Sequence, residues 1–79
     1  MKTMTCRQLG GACERKFRAA SFAEIAEMSK QHGMEMLQSK DEAHIRAMNE
    51  MKRLMQKPGA MADWFASKER EFEATPEDL

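Results

Sequence analysis

The segment TMTCRQLGGACERKFR, residues 3–18, decides how the rest of the chain is read. At its centre Gly10 and Gly11 supply the positive-φ freedom of a tight reversal, and a turn at Leu9-Gly10 sets Cys6 opposite Cys13. Side chains alternate along a strand, so Met4, Cys6, Cys13 and Phe17 share one face. Thr3, Thr5, Arg7, Ala12, Glu14, Lys16 and Arg18 share the other. Only Lys2 and Arg15 interrupt the inner pattern. Two thiols therefore point at whatever covers that face. The next element able to cover it is a helix beginning near Ser21, which carries His32. The arrangement reads as a metal clip.

The helix is announced by Ser21-Phe22-Ala23-Glu24, a capping box in which the Ser hydroxyl takes the amide of Glu24 and Glu24 reaches back to the Ser21 amide. Its apolar stripe runs Phe22, Ile25, Met28 or Ser29, His32 and Met36, at helical spacing. His32 therefore faces inward. A lone inward His is commonly a hydrogen-bonded core residue; two cysteines on the facing hairpin favour a ligand. Gly33 costs this helix up to about 1 kcal/mol relative to Ala, and stands either for close backbone packing or for a local irregularity.

The motif Thr5-Cys6-Arg7-Gln8-Leu9-Gly10-Gly11-Ala12-Cys13, followed after eighteen residues by His32, resembles the predicted small metal-binding proteins, a bacterial and archaeal family of unknown function. The resemblance covers roughly residues 4–37. It implies Cys6, Cys13 and His32 as metal ligands. Where the family often has a second His shortly after the first, this chain has Leu37, so a fourth ligand must come from elsewhere.

A second capping box at Ser39-Lys40-Asp41-Glu42 predicts another helix after a very short connection, hence an antiparallel helical hairpin. On it His44, Met48, Met51 and Met55 form one stripe, with Ala47 and Leu54 at its border. His44 returns alongside residues 33–36 and is the candidate fourth ligand, in competition with Glu35, Met36 or a water molecule. A nitrogen suits zinc better than a thioether does. Pro58-Gly59 ends this helix. A third follows, with Met61, Trp64, Phe65 and Phe72 expected to close the core. The predicted fold is α+β, a β-hairpin packed on three helices (ββααα), in a single domain over 1–79. Its parts are the hairpin at 3–18, helices at 21–38, 40–57 and 60–73, and a frayed acidic tail at 74–79.

Composition agrees with a need for a staple. A chain of this size buries only about 60% of the surface its unfolded form exposes, and small scaffolds commonly add a metal or disulfides. Nine Met, two Ile and neither Val nor Tyr make strand propensity poor. The first residues hold no apolar run of signal-peptide type and no window reaches the length of a membrane span, which predicts a soluble cytoplasmic protein. In that reducing setting the cysteines are expected as thiols or ligands; a cross-strand disulfide or two inert buried thiols are the alternatives. The expected cofactor is zinc, with copper(I) second because thiolate and thioether are soft donors. Met34 and Met36 do not share a helix face, and core filling accounts for the remaining methionines.

The formal net charge is zero, yet Lys2, Arg7, Arg15, Lys16 and Arg18 face Glu14 alone within the first twenty residues. Such a hairpin could meet phosphate or an acidic partner; a solvated strand face is the plainer reading. The chain has no basic recognition helix for DNA, and RNA binding through the hairpin is a weak option. Catalytic signatures are missing as well, including Cys-x-x-Cys, a Gly-rich phosphate loop and the paired-His helical motif. The expectation is a non-enzymatic metal-binding protein. Its alternative is a protein-protein interaction or self-association module that uses a Met and aromatic surface.

Overall fold

Met4 and Phe17 face each other at the centre of an antiparallel strand pair, and burial of both under a helix orders the N-terminal third. The computed structural model describes residues 1–78. Its order is β1 (Lys2–Thr5), a short 3-10 turn (Arg7–Leu9), β2 (Lys16–Ala19), α1 (Phe22–Gln38), α2 (Glu42–Leu54) and α3 (Ala60–Ala74). This is the expected ββααα arrangement. No helix among the described residues is long and apolar enough to cross a membrane.

The register differs from the sequence expectation by two residues. Lys2 pairs with Ala19 and Thr5 with Lys16, and the Cys6 amide donates to the Arg15 carbonyl at 2.8 Å, so Arg15 stands opposite Cys6. A tight reversal at Leu9-Gly10 would leave Leu9 at an exposed tip. Leu9 is instead buried as the last residue of the 3-10 turn, and Gly10 follows in the left-handed region at φ 89°. The loop is held by the Cys6 carbonyl, which accepts from Leu9 at 3.0 Å and from Gly11 at 2.9 Å. Because an even shift preserves parity, Met4, Cys6 and Phe17 still share the inner face.

Ser21 caps α1 by accepting from the Glu24 amide at 3.3 Å. The second half of the box differs, since the Ser21 hydroxyl donates to the Glu24 carboxylate at 3.0 Å. At the other end of α1 the Lys40 amide donates to Leu37 and the Asp41 amide to Met36, each at 3.1 Å. This is a Schellman closure with Lys40 at φ 59° where glycine is usual. Ser39 is thereby consumed as the C-cap of α1, and α2 is capped by Asp41. Helix α2 therefore starts at Glu42, two residues later than expected. It ends at Leu54, short of the expected 57, in keeping with the bias of pre-proline residues away from helix.

The core comprises Met4, Cys6, Leu9, Phe17, Ala19, Phe22, Ile25 and Phe72, with Cys13 and Ala26 against it. Helix α3 joins it differently from expectation. Phe72 enters the core, and Phe22 meets Phe65 edge-on at 5.0 Å between ring centroids. Met61 and Phe65, however, remain 65% and 42% exposed. The C-terminal half of α3 packs on β1 while its N-terminal half stands away from α2, leaving an open apolar groove of about 880 Å³ lined by Leu9, Phe22, Met51, Met55, Trp64 and Phe65.

The tail, expected to fray, is tied to the hairpin. Asp78 donates its amide to the Met1 carbonyl at 2.7 Å. Its carboxylate accepts from the Thr3 hydroxyl at 2.7 Å and from Arg18 Nε at 2.9 Å. Glu77 meets the Met1 amine at 2.5 Å, and Lys2 donates to the Glu73 carbonyl at 2.9 Å. Opposite charge on the outer strand face supplies the partner that the isolated tail lacks. The Thr3 hydroxyl, then Arg18, hold the Asp78 carboxyl below the ordinary aspartate range. A carboxyl with a folded-state pKa below its unfolded one contributes stability that is complete above the unfolded value and is lost as pH falls through the lowered one. The tail should stay docked at neutral pH and release only below pH 3.8, the ordinary Asp value. An NMR titration should show the Thr3 and Asp78 amides moving together in that acid range; release between pH 5 and 7 would contradict this origin.

Candidate metal centre

Four elements meet at one end of the core, and each brings one soft or borderline donor. Cys6 leaves β1 and opens the 3-10 turn, Cys13 sits in the loop before β2, His32 lies in the second half of α1, and His44 lies in the first turn of α2. One ligand atom from each falls within 4.8 Å of all the others. Cys6, His32 and His44 are 4%, 5% and 6% exposed, and Cys13 is half-buried. Both cysteines are free thiols. The structure thus brings together all four side chains singled out in the sequence. Glu35, a competing fourth ligand, is exposed and outside the cluster.

Two cross-distances describe the cluster. Cys13 Sγ is 3.3 Å from His32 Nε2, and Cys6 Sγ is 3.6 Å from His44 Nε2. Zinc bound to thiolate at about 2.3 Å and to imidazole at about 2.0–2.1 Å in a tetrahedron would set sulfur and nitrogen about 3.6 Å apart. The Cys6–His44 edge equals that value and the Cys13–His32 edge is 0.3 Å shorter, and the donor set is the Cys2His2 set of structural zinc. Two thiolates would balance the charge of a bound dication, while two neutral imidazoles complete the shell.

The local fields differ between the two halves of the cluster. Burial pushes the Cys6 thiol up. At Cys13 burial acts in the same sense but is outweighed by the Arg15 amide and by the His44 and Cys6 side chains, so this thiol is lowered. Burial, then the neighbouring His44 and Arg15, lower His32 and keep it neutral. Asp41 raises His44. The sequence Cys6–His44–Asp41 also has the order of an activated thiol. A nucleophile needs access and a lowered pKa, whereas Cys6 is buried and its thiol is raised.

The outer contacts of the two imidazoles are unequal. His44 Nδ1 lies 2.6 Å from Asp41 Oδ2, the carboxylate partner that metal-binding histidines commonly have. His32 Nδ1 is buried with no hydrogen-bonding partner among the described residues; its ring packs edge-on against Phe17 at 5.7 Å and near His44 at 5.2 Å. Asp41 is a functional partner beyond the four expected side chains, and its place in the sequence explains it, because an N-cap carboxylate three residues before an inward His can reach its ring.

Gly11 serves a different need from the positive φ expected of it. Only Gly10 and Gly59 among the glycines have positive φ. At Gly11 a Cβ would collide with the Cys6 sulfur, so the residue is there to let the thiol sit against the loop backbone. Gly33 is explained by close packing: a Cβ there would meet the end of Met48 at 3.1 Å while α1 continues unbroken through it. No family model, curated protein or solved structure matches this chain.

The two glycines should respond oppositely to alanine. Gly11→Ala is expected to displace Cys6 and destabilise the fold by about 1–3 kcal/mol through overpacking, with faster thiol alkylation. Gly33→Ala needs only a flexible methionine end to move and gains helix propensity of up to about 1 kcal/mol, so its stability should be unchanged or higher. Thermal unfolding and thiol-reactivity rates of the two variants check this; similar losses in both would contradict it.

Proposed function

We propose that this is a small zinc-binding protein in which Cys6, Cys13, His32 and His44 form a closed structural site clipping the hairpin to α1 and α2. The observation that carries the reading is the convergence of four donors from four chain segments within 4.8 Å, with sulfur to nitrogen distances of 3.3 and 3.6 Å. It agrees with the ligand set implied by the resemblance to the predicted small metal-binding proteins, with His44 in the fourth place. Two thiolates and two imidazoles favour zinc over copper(I), and the Met34 thioether, near His32 in sequence, is mainly exposed. Four protein ligands leave no open position for substrate or water, which supports binding without catalysis.

The open groove beside Trp64 and Phe65 favours a second reading, an interaction module in which the clip only shapes a surface. Metal content and solution mass separate the two. Protein purified without added metal should carry one zinc per chain by native mass spectrometry. Cys6→Ser should lose the metal together with most of its helical circular dichroism, and His44→Ala should bind zinc more weakly. A metal-free wild type that is fully folded with free thiols would overturn the metal reading. A dimer of unchanged affinity with and without zinc would favour the interaction module.

A further inference from the structure

His44 is the buried residue of α2; Met48, Met51 and Met55 on the same stripe are only partly covered. The attachment of this helix therefore depends heavily on one imidazole. One oxygen controls that imidazole twice over. Asp41 Oδ2 accepts from the main-chain N–H of His44 at 3.0 Å and lies 2.6 Å from its Nδ1. The first bond is the N-cap of α2, satisfying a donor that the helix start leaves without an intrahelical acceptor. The second orients the ring. An ionised carboxylate only accepts hydrogen bonds, so Nδ1 is the donor, and Nε2 is directed at Cys6. His32 has no comparable partner at its Nδ1 among the described residues, so the carboxylate support of the cluster is concentrated on the α2 side.

Resting on the metal-binding reading above, we propose that Asp41 is a positioning residue for the centre, holding His44 in its ligating tautomer and thereby tying metal capture to the start and docking of α2. Asn and Ser cap helices about as well as Asp. Asp41→Ser keeps the cap with a side chain too short to reach the ring, and Asp41→Asn keeps the cap while replacing the carboxylate at Nδ1 with a neutral, weaker acceptor. Zinc affinity, measured by competition with a chelator, should fall about 10–100-fold in both, the usual effect of losing such an outer partner. Helical circular dichroism at saturating zinc should stay at the wild-type level. With cobalt(II) as probe, the ligand-field spectrum of both variants should shift, and the ¹⁵N shifts of the His44 ring should report a changed tautomer mixture, which a cap alone would not alter. Wild-type affinity and an unshifted cobalt spectrum in both variants would overturn the role. So would weaker binding accompanied by loss of α2 helicity at saturating zinc, because capping alone would then account for it. A wild type that takes up neither metal would overturn the metal-binding reading and this role with it.

Discussion

Four polar side chains must be satisfied at the junction where the hairpin, α1 and α2 meet, and the rest of the structure depends on how that is done. Buried polar groups without partners are costly, and a core of only eight buried side chains has little stability in reserve. The junction nevertheless buries two imidazoles and a thiol almost completely. Protein partners cover part of the demand: Asp41 serves His44, and loop amides favour both sulfurs. The central ligand atoms chiefly face one another. A shared cation is the economical way to satisfy sulfur and nitrogen lone pairs that converge from four directions, since one ion takes all four.

The local order around the junction follows from that demand. Leu9 turns inward and pulls the loop into a 3-10 turn, which brings the Cys6 carbonyl under the amides of Leu9 and Gly11. The same loop lacks a Cβ at Gly11, where the Cys6 sulfur lies. On the helical side Met48 packs beside Gly33, where α1 and α2 meet and the His32 and His44 rings lie 5.2 Å apart. The two absent side chains differ in weight: at Gly11 the sulfur of Cys6 occupies the place of a Cβ, whereas at Gly33 only the end of Met48 lies close.

Much of this was legible in the sequence because it rests on parity and period. Alternation along β1 placed Met4 and Cys6 on one face whatever the register, and the three-four spacing from Phe22 through Ile25 to His32 placed the imidazole inward. The short connection after α1 brought His44 back beside it. What stayed hidden depends on competition between local options. Ser39 and Asp41 can each cap a helix; the Schellman closure at Lys40 uses the first and leaves the second to start α2. A hairpin tip at Leu9 agrees with glycine chemistry but not with burial of a leucine, and burial prevails. The aromatic stripe of α3 promised a closed core, yet only Phe72 is buried, while Phe65 touches Phe22 from a position that stays 42% exposed.

The charge pattern illustrates a broader constraint on reading a chain of this size. Five cations in the first twenty residues suggest an external anion when the segment is considered alone. Folding returns the tail to the same face, where Asp78 meets Thr3 and Arg18 while Lys2 bonds the Glu73 carbonyl and lies 5.2 Å over Phe72. The Met1 carbonyl, just before β1, accepts from the Asp78 amide in the same movement. Each of these exposed contacts is weak by itself, but they act on one two-stranded ribbon, an element with only marginal independent stability. The hairpin is therefore secured from two sides: its inner face by the core and the cysteine–histidine cluster, its outer face by the acidic tail. The local excess of positive charge is then largely an internal matter, and the cluster, rather than the basic face, is where the fold has concentrated chemistry that an ordinary small domain does not need.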